Sequence, residues 1–90
     1  RSQGSAVENL YKPLGGAIEA VEFTATATTR FLDTPLKDLR LKPGILVAAI
    51  AREGKTIIPD GSTSIRAGDK VIIMAKSLFL QELDEILQDP

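Results

Sequence analysis

The sequence contains no cysteine and no histidine among its 90 residues. Without cysteine, neither a disulfide framework nor a thiolate metal site can form, and the composition fits a reducing cytoplasm. Without histidine, the commonest catalytic base and a usual transition-metal ligand are missing. We therefore expect that the chain is not an enzyme and holds no transition metal.

Charge of one sign and long apolar runs are also lacking. The 11 basic residues are balanced by 12 acidic ones, so the chain has no net positive charge that would attract it to a phosphate backbone or an anionic bilayer. The longest uninterrupted apolar run, residues 45–51, has seven residues, whereas a helix needs about 20 to cross a bilayer. We expect no nucleic-acid partner and no direct insertion into a membrane.

The chain starts at Arg1 without an initiator methionine or a signal-peptide pattern, which indicates a piece of a longer polypeptide. Residues 1–19 mix polar residues and glycine with Pro13, a composition typical of a linker or lead-in from an upstream domain. A patterned domain is predicted over residues 20–88.

The first predicted element of that domain is a half-buried strand. Val21, Phe23 and Ala25 alternate with polar residues from residue 20 onward, which is the period of a strand. Thr34 and Pro35 then form a helix-start pair, and a short helix of about two turns is predicted before the stop at residues 42–44.

Three further strands are predicted after this helix. Residues 45–51 are apolar throughout, as in a central strand buried on both faces. Glu53 and Gly54 fit a tight hairpin turn, which leads into a partner strand over residues 55–58. Residues 70–75 predict a last buried strand.

An amphipathic helix is predicted at the C-terminal end. Ser77 is a suitable N-cap, and Leu80, Leu83 and Leu87 recur at helical spacing among acidic and amide residues. The predicted fold class is therefore α+β: a small mixed or antiparallel sheet with a short helix after strand 1 and a C-terminal amphipathic helix.

Few side chains remain that can carry chemistry. Asp60 and Asp69 lie in predicted turns, where carboxylates can act as acid and base or hold a hard cation, or simply bond their own backbone. Arg52 ends the central strand, where its planar guanidinium can bind a phosphate or carboxylate or face solvent. Ile57, Ile58 and Pro59 form an apolar strand end suited to a second copy or a planar ring, unless it is ordinary core.

An ordered set of motifs resembles the C-terminal domain of TrkA-type, or RCK, regulators of bacterial Trk and Ktr potassium uptake. The resemblance covers roughly residues 20–87, and residues 7–11 resemble the connection from an upstream nucleotide-binding half. The motifs are Leu36-x-x-Leu39, PGILVAAIAR at 43–52, IIP at 57–59, and GDKVII at 68–73.

That resemblance implies a non-enzymatic, dimerising, ligand-sensing regulatory domain. The full-length protein would lie in the cytoplasm, peripheral to the inner face of the membrane, and would control a membrane potassium-translocating subunit. NAD(H) or ATP would bind in an N-terminal domain outside this chain. No cofactor is expected within the chain itself, although some relatives bind cyclic di-adenosine monophosphate (cyclic di-AMP) between two C-terminal domains.

In relatives that bind this dinucleotide, the site maps onto six residues here. They are Ile50, Ala51, Arg52, Ile57, Ile58 and Pro59. The polar residues that precede the Ile-Pro pair in such binders are replaced by Thr56 and Ile57. Other functions left open are the cytosolic regulatory tail of a different cation or anion transporter, a small-molecule receptor without a transport output, and an enzyme using Asp60 or Asp69.

Overall fold

A single antiparallel sheet of five strands organises the computed structural model, which describes residues 7–11, 18–76 and 80–88. The spatial order of the strands is β1-β2-β5-β3-β4, so the last strand of the chain lies in the middle of the sheet. The strands are β1 Val7–Tyr11, β2 Ile18–Thr24, β3 Ile45–Arg52, β4 Lys55–Ile57 and β5 Lys70–Lys76.

The alternating segment after residue 20 forms β2, as predicted. Val21 and Phe23 are fully buried on one face, where they pair with Ile73 and Val71 of β5. Because side chains alternate between the faces of a strand, this register gives the sheet one strongly apolar face.

Within the residues that the structure describes, the core lies on that face only. Irregular segments cover it and contribute their own buried side chains, including Phe31 and Ile65 from the loops and Leu80, Leu83 and Ile86 from the C-terminal segment. The domain is thus a sheet with a covering layer of loops and single turns on one side.

The predicted central strand is instead next to the edge. β3 pairs with β5 on one side and with the short edge strand β4 on the other. It is buried on one face, since Val47 and Ile50 reach the core whereas Leu46 is 60% exposed. The prediction of burial on both faces was wrong, because an unbroken apolar run does not reveal whether a second layer covers it.

The predicted hairpin at Glu53 and Gly54 is confirmed. Their φ angles are 50° and 78°, the left-handed values of a type I′ turn that matches the twist of the flanking strands. The partner strand covers Lys55–Ile57.

The predicted short helix after the first strand does not form. A lone 3₁₀ turn occupies Leu36–Asp38, and its backbone donors bind a neighbouring segment instead: Leu36 N–H donates to Thr63 O at 2.9 Å and Lys37 N–H to Gly61 O at 2.9 Å. Between Pro35 and Pro43 there is little room to nucleate a helix, so pairing with the neighbouring segment prevails.

The predicted C-terminal amphipathic helix is also absent. Residues 77–79 lie outside the described residues, and the remainder forms a single 3₁₀ turn, Leu83–Ile86. Backbone bonds to residues 40–42 flank it, since Lys42 N–H donates to Ile86 O and Gln88 N–H to Arg40 O. Leu83 and Ile86 are fully buried, and their i, i+3 spacing suits a 3₁₀ turn as well as an α-helix. The α+β class was therefore wrong, and the described fold is mostly β.

The sheet also includes residues that precede the predicted start of the domain. β1 pairs with β2 in an antiparallel register that joins Leu10 to Val21 and Tyr11 to Ala20. Residues 1–6 and 12–17 of the predicted linker lie outside the described residues, and the division at residue 20 stays a prediction.

Candidate functional site

A bidentate ion pair joins Arg52 to Asp69 at one end of the sheet. Arg52 Nε donates to Asp69 Oδ1 at 2.9 Å, and Nη2 donates to Oδ2 at 2.7 Å. The same Nη2 donates to the carbonyl of Ser64 at 2.8 Å, and the backbone N–H of Arg66 donates to Asp69 Oδ2 at 2.8 Å. Only 2% of the Asp69 side chain and 18% of the Arg52 side chain are exposed.

Strand register brings these two residues together. Ile50 of β3 pairs with Val71 of β5 in the core. Arg52 is two residues after Ile50, and Asp69 is two residues before Val71 on an antiparallel strand, so both side chains fall on the core face. The turn before β5 fixes the carboxylate, since Asp69 N–H donates to Arg66 O and Asp69 O accepts from Ala25 N–H.

The pair is electrostatically matched. Burial acts to raise the pKa of Asp69, but the hydrogen bonds from Arg52 and from the Arg66 N–H outweigh burial and hold this pKa below its usual value. The hydrogen bond to Asp69 raises the pKa of Arg52 despite partial burial. Both groups are therefore charged near neutral pH and bound to each other, so Nε and Nη2 of Arg52 are already engaged.

Asp60 is separated from this pair and forms its own turn. Its Oδ1 accepts from the Ser62 N–H at 2.9 Å and from the Ser62 hydroxyl at 2.8 Å. These bonds lower the pKa of Asp60. Asp60 and Asp69 thus belong to separate local networks, and within the described residues no group of three or more acidic side chains is placed to hold a metal ion.

The six residues of the predicted ligand site surround the β3–β4 hairpin but do not share one surface. Ile50 is fully buried, and Ile57 is half-buried against the core. Ala51 is exposed on the opposite face of the sheet, paired with Thr56 and Lys70. Pro59 is half-buried, whereas 76% of Ile58 is exposed.

A shallow cavity of about 150 Å³ lies beside the ion pair. Its lining residues are Arg52, Glu53, Arg66, Ala67, Gly68 and Asp69. Among the predicted site residues, only Arg52 contributes to it. Sequence reasoning missed the pairing of Arg52 with Asp69, which becomes visible only once β3 and β5 are placed in register. Ligand binding by the six residues stays a prediction.

The second surface of interest is the sheet face that points away from the core. Pairing aligns Tyr11, Ala20, Met74 and Leu46 in one row across four strands, and Ala49 and Ile72 in the next. Tyr11 is 55% exposed and Ile18, at the start of β2, is 42% exposed. We call these residues the open face: Tyr11, Ile18, Ala20, Leu46, Ala49, Ile72 and Met74.

One end of the open face is hollowed into a groove of about 380 Å³. Ile18, Leu46 and Met74 line it together with Gly44, Ile45, Ala75 and Lys76. Charged residues lie around the apolar row: Lys76 and Lys70 at the two ends of β5, and Glu22 on β2, whose carboxylate accepts a hydrogen bond from Asn9 at 2.7 Å.

Comparison with known proteins settles the family. The TrkA-C domain model matches residues 20–88, from the third residue of strand β2 to the end of the C-terminal segment. The chain belongs to the TrkA-C domain family. This confirms the resemblance seen in the sequence, and the family is not a catalytic one.

Several relatives of this TrkA-C domain are named as potassium uptake proteins. The Trk system potassium uptake protein TrkA homolog 2 of Methanosarcina mazei is 29% identical over 97% of the chain and 19% of its own length. Azorhizobium caulinodans TrkA is 28% identical over 91% of the chain and 18% of its own length. The Archaeoglobus fulgidus TrkA homolog is 33% identical over 84% of the chain and 17% of its own length. The chain spans about a fifth of the length of these relatives.

The TrkA-C match includes both surfaces described above, apart from Tyr11 and Ile18, which precede residue 20. In the part of the chain that the structure describes, no helix has the length and apolar character required to cross a membrane.

Proposed function

We propose that this TrkA-C domain is the regulatory, dimerising part of a Trk-type potassium-uptake system. The observation that carries the proposal is the family match over residues 20–88, together with relatives named as Trk potassium uptake proteins that align with 84–97% of the chain. The domain acts at the cytoplasmic side of the membrane, where the full-length protein binds the potassium-translocating subunit. The sheet supports this role, because its exposed apolar face is suited to a protein partner.

The proposed mechanism is a shift between arrangements of two domains. A ligand that binds one arrangement more tightly favours it, and the transporter responds to the difference. NAD(H) or ATP binds elsewhere in the full-length protein. Cyclic di-AMP is the candidate ligand here, bound near the β3–β4 hairpin with Ile58 and Pro59 against a base and Nη1 of Arg52 toward a phosphate.

Potassium uptake by the full-length protein tests the regulatory role. Val71→Asp buries an unpaired charge at a fully buried position and should unfold this domain. Lys55→Asp places the same side chain on an exposed position of β4 and serves as the matched control. In bacteria deficient in potassium uptake, the first variant should abolish regulated uptake and the second should retain it. If circular dichroism shows that the domain is unfolded in Val71→Asp and potassium uptake by this variant still equals that of the wild type, the proposal is overturned.

A thermal melt with cyclic di-AMP tests the ligand. Ligand at a hundred times its Kd stabilises a folded protein by about 2.7 kcal/mol, which is readily measured in a domain of this size. Ile58→Ala should remove the shift without changing the melting temperature of the free protein, because Ile58 is mostly exposed. If the wild-type protein shows no shift, the domain dimerises and couples without a ligand of this kind.

A further inference from the structure

We infer that the groove at the Gly44 end of the open face binds a long-chain carboxylate, with its alkyl chain along Leu46 and Met74 and its carboxylate at Lys76. This site differs from the one proposed for cyclic di-AMP in both position and chemistry. β3 begins at the groove and ends at the β3–β4 hairpin, so the two sites lie at opposite ends of the sheet. The inference goes beyond the proposed function and does not depend on it.

The first support is the apolar lining of the groove. Its volume of about 380 Å³ lies within the range of about 300–1,000 Å³ that small-molecule pockets occupy. β2 and β3 are interior strands of the sheet, yet Ile18 is 42% exposed and Leu46 is 60% exposed. An alkyl chain in the groove would cover both residues. Apart from one lysine, the lining consists of Ile18, Gly44, Ile45, Leu46, Met74 and Ala75.

The second support is the charge of Lys76, the lysine that lines the groove. Among the described residues, no ion pair engages its ammonium group. Glu19 lies at the same end of β2 but is buried on the core side of the sheet. Glu22 is about 14 Å farther along β2, by its four-residue separation from the partner of Lys76, and its carboxylate accepts a hydrogen bond from Asn9. The groove therefore offers one unpaired cation, which is complementary to a ligand with one anionic group.

Gly44 holds the base of this lysine at the wall of the groove. The Lys76 N–H donates to Gly44 O at 3.0 Å. Gly44 has a φ of 83°, and a Cβ atom at this position would lie 3.3 Å from the Lys76 Cβ. The absence of a side chain thus allows the loop before β3 to pack closely against the end of β5. Lys76 is positioned by this backbone contact and not by an acidic partner.

A free carboxylate fits this site better than an anionic bilayer does. Binding to a bilayer surface typically uses a cluster of about four to eight basic residues, whereas the groove is lined by Lys76 alone among the charged residues. A lysine ammonium acts as a compact point charge, and a concave apolar site can enclose one alkyl chain. Straight-chain fatty acids combine these two features.

Calorimetric titration of the 90-residue chain with fatty acids from octanoate to tetradecanoate, each below its micelle concentration, tests the inference. Each added methylene should lower the Kd about fourfold until the groove is filled, and longer chains should then bind equally well. A Kd that keeps falling with every methylene would indicate adsorption on an open apolar surface and would overturn the inference, as would the absence of saturable binding.

Two matched pairs of variants locate the ligand. Lys76→Glu should raise the Kd of dodecanoate by at least about tenfold, because repulsion replaces attraction. Lys70→Glu makes the same change at the other end of β5 and should leave the Kd within about twofold. Leu46→Asn should raise the Kd about tenfold by removing an apolar wall. Leu10→Asn is its control, because Leu10 is 50% exposed but pairs with Val21 on the core side. Thermal melts of the free variants check that each one folds.

The remaining outcomes assign the groove to a different occupant. Equal losses in Lys76→Glu and Lys70→Glu would mean general electrostatic attraction without a defined site. Binding to vesicles that contain anionic lipid, without binding to dodecanoate, would assign the surface to a bilayer. Binding of dodecanoate by Leu14→Ser or Phe79→Ser but not by the wild type would mean that neighbouring parts of the chain cover the groove. Each of these results would overturn the inference and would leave the proposed regulatory function to its own experiments.

Discussion

Removal of the Arg52 side chain should be among the most destabilising single changes in this domain. In Arg52→Ala, the Asp69 carboxylate keeps the Arg66 N–H as a donor but loses both bonds from the guanidinium. The Asp69 side chain is only 2% exposed, so water does not readily replace the lost guanidinium. Breaking a buried pair from one side costs about 3–5 kcal/mol, and the partial exposure of Arg52 places the expected loss near about 3 kcal/mol.

Thermal and urea unfolding at pH 7 measure this loss. In a domain of this size, 1 kcal/mol shifts the melting temperature by about 4–8 °C, so Arg52→Ala should melt at least about 12 °C below the wild type. Arg66→Ala is the control, because the Arg66 side chain is exposed and only its backbone N–H binds Asp69. It should stay within about 0.5 kcal/mol of the wild type.

The pH dependence supplies an independent check with a defined sign. The folded-state pKa of Asp69 is lowered, so the pair's contribution is complete above the unfolded value near 3.9 and is lost as the pH falls through the folded value. The stability difference between wild type and Arg52→Ala should thus be constant from about pH 5 upward and should shrink in stronger acid. A loss below about 1 kcal/mol at pH 7, or a difference that does not change in acid, would refute the reasoning and would leave Arg52 available to a ligand.

Three further changes have defined outcomes in urea unfolding. Gly54→Ala should cost about 1 kcal/mol, because Gly54 has a φ of 78° and no atom near the added methyl, so backbone conformation alone is penalised; an unchanged midpoint would contradict the type I′ turn. Leu83→Ala should cost about 2–5 kcal/mol by opening a cavity in the core, and a smaller loss would mean that the C-terminal turn is not packed as described. Arg30→Ala should cost less than about 1 kcal/mol, because the Arg30 side chain is 69% exposed in its ion pair with Asp84, and a larger loss would give this pair a structural role.

Local chemistry predicted the positions of β2 to β5 and the turn between β3 and β4, but it missed β1, which was assigned to a linker. The alternation around Val21 and Phe23 depends only on the two-residue period of a strand, and Glu53-Gly54 depends only on which residues tolerate a positive φ. These features are encoded within a few neighbouring residues. The family resemblance could be recognised for the same reason, since its motifs are turn residues and strand residues at fixed spacing.

The helices were predicted wrongly because their alternatives involve distant partners. Leu36 N–H binds Thr63 O, and Gln88 N–H binds Arg40 O, across 27 and 48 residues of chain. Spacing within the segment could not show these bonds. The same limit applies to Arg52, whose role depends on the register between β3 and β5, and to Leu46, whose exposure depends on what covers the sheet.

The position of β5 has a consequence for synthesis of the protein. β2 and β3 do not pair with each other, and each is joined to the sheet through β5. Until residues 70–76 have left the ribosome, the nascent chain can form the β3–β4 hairpin and at most a separate β1–β2 pair, with the apolar faces of both uncovered. The two halves of the sheet join only through β5, so a chain that is truncated before residue 70 lacks the strand that connects them.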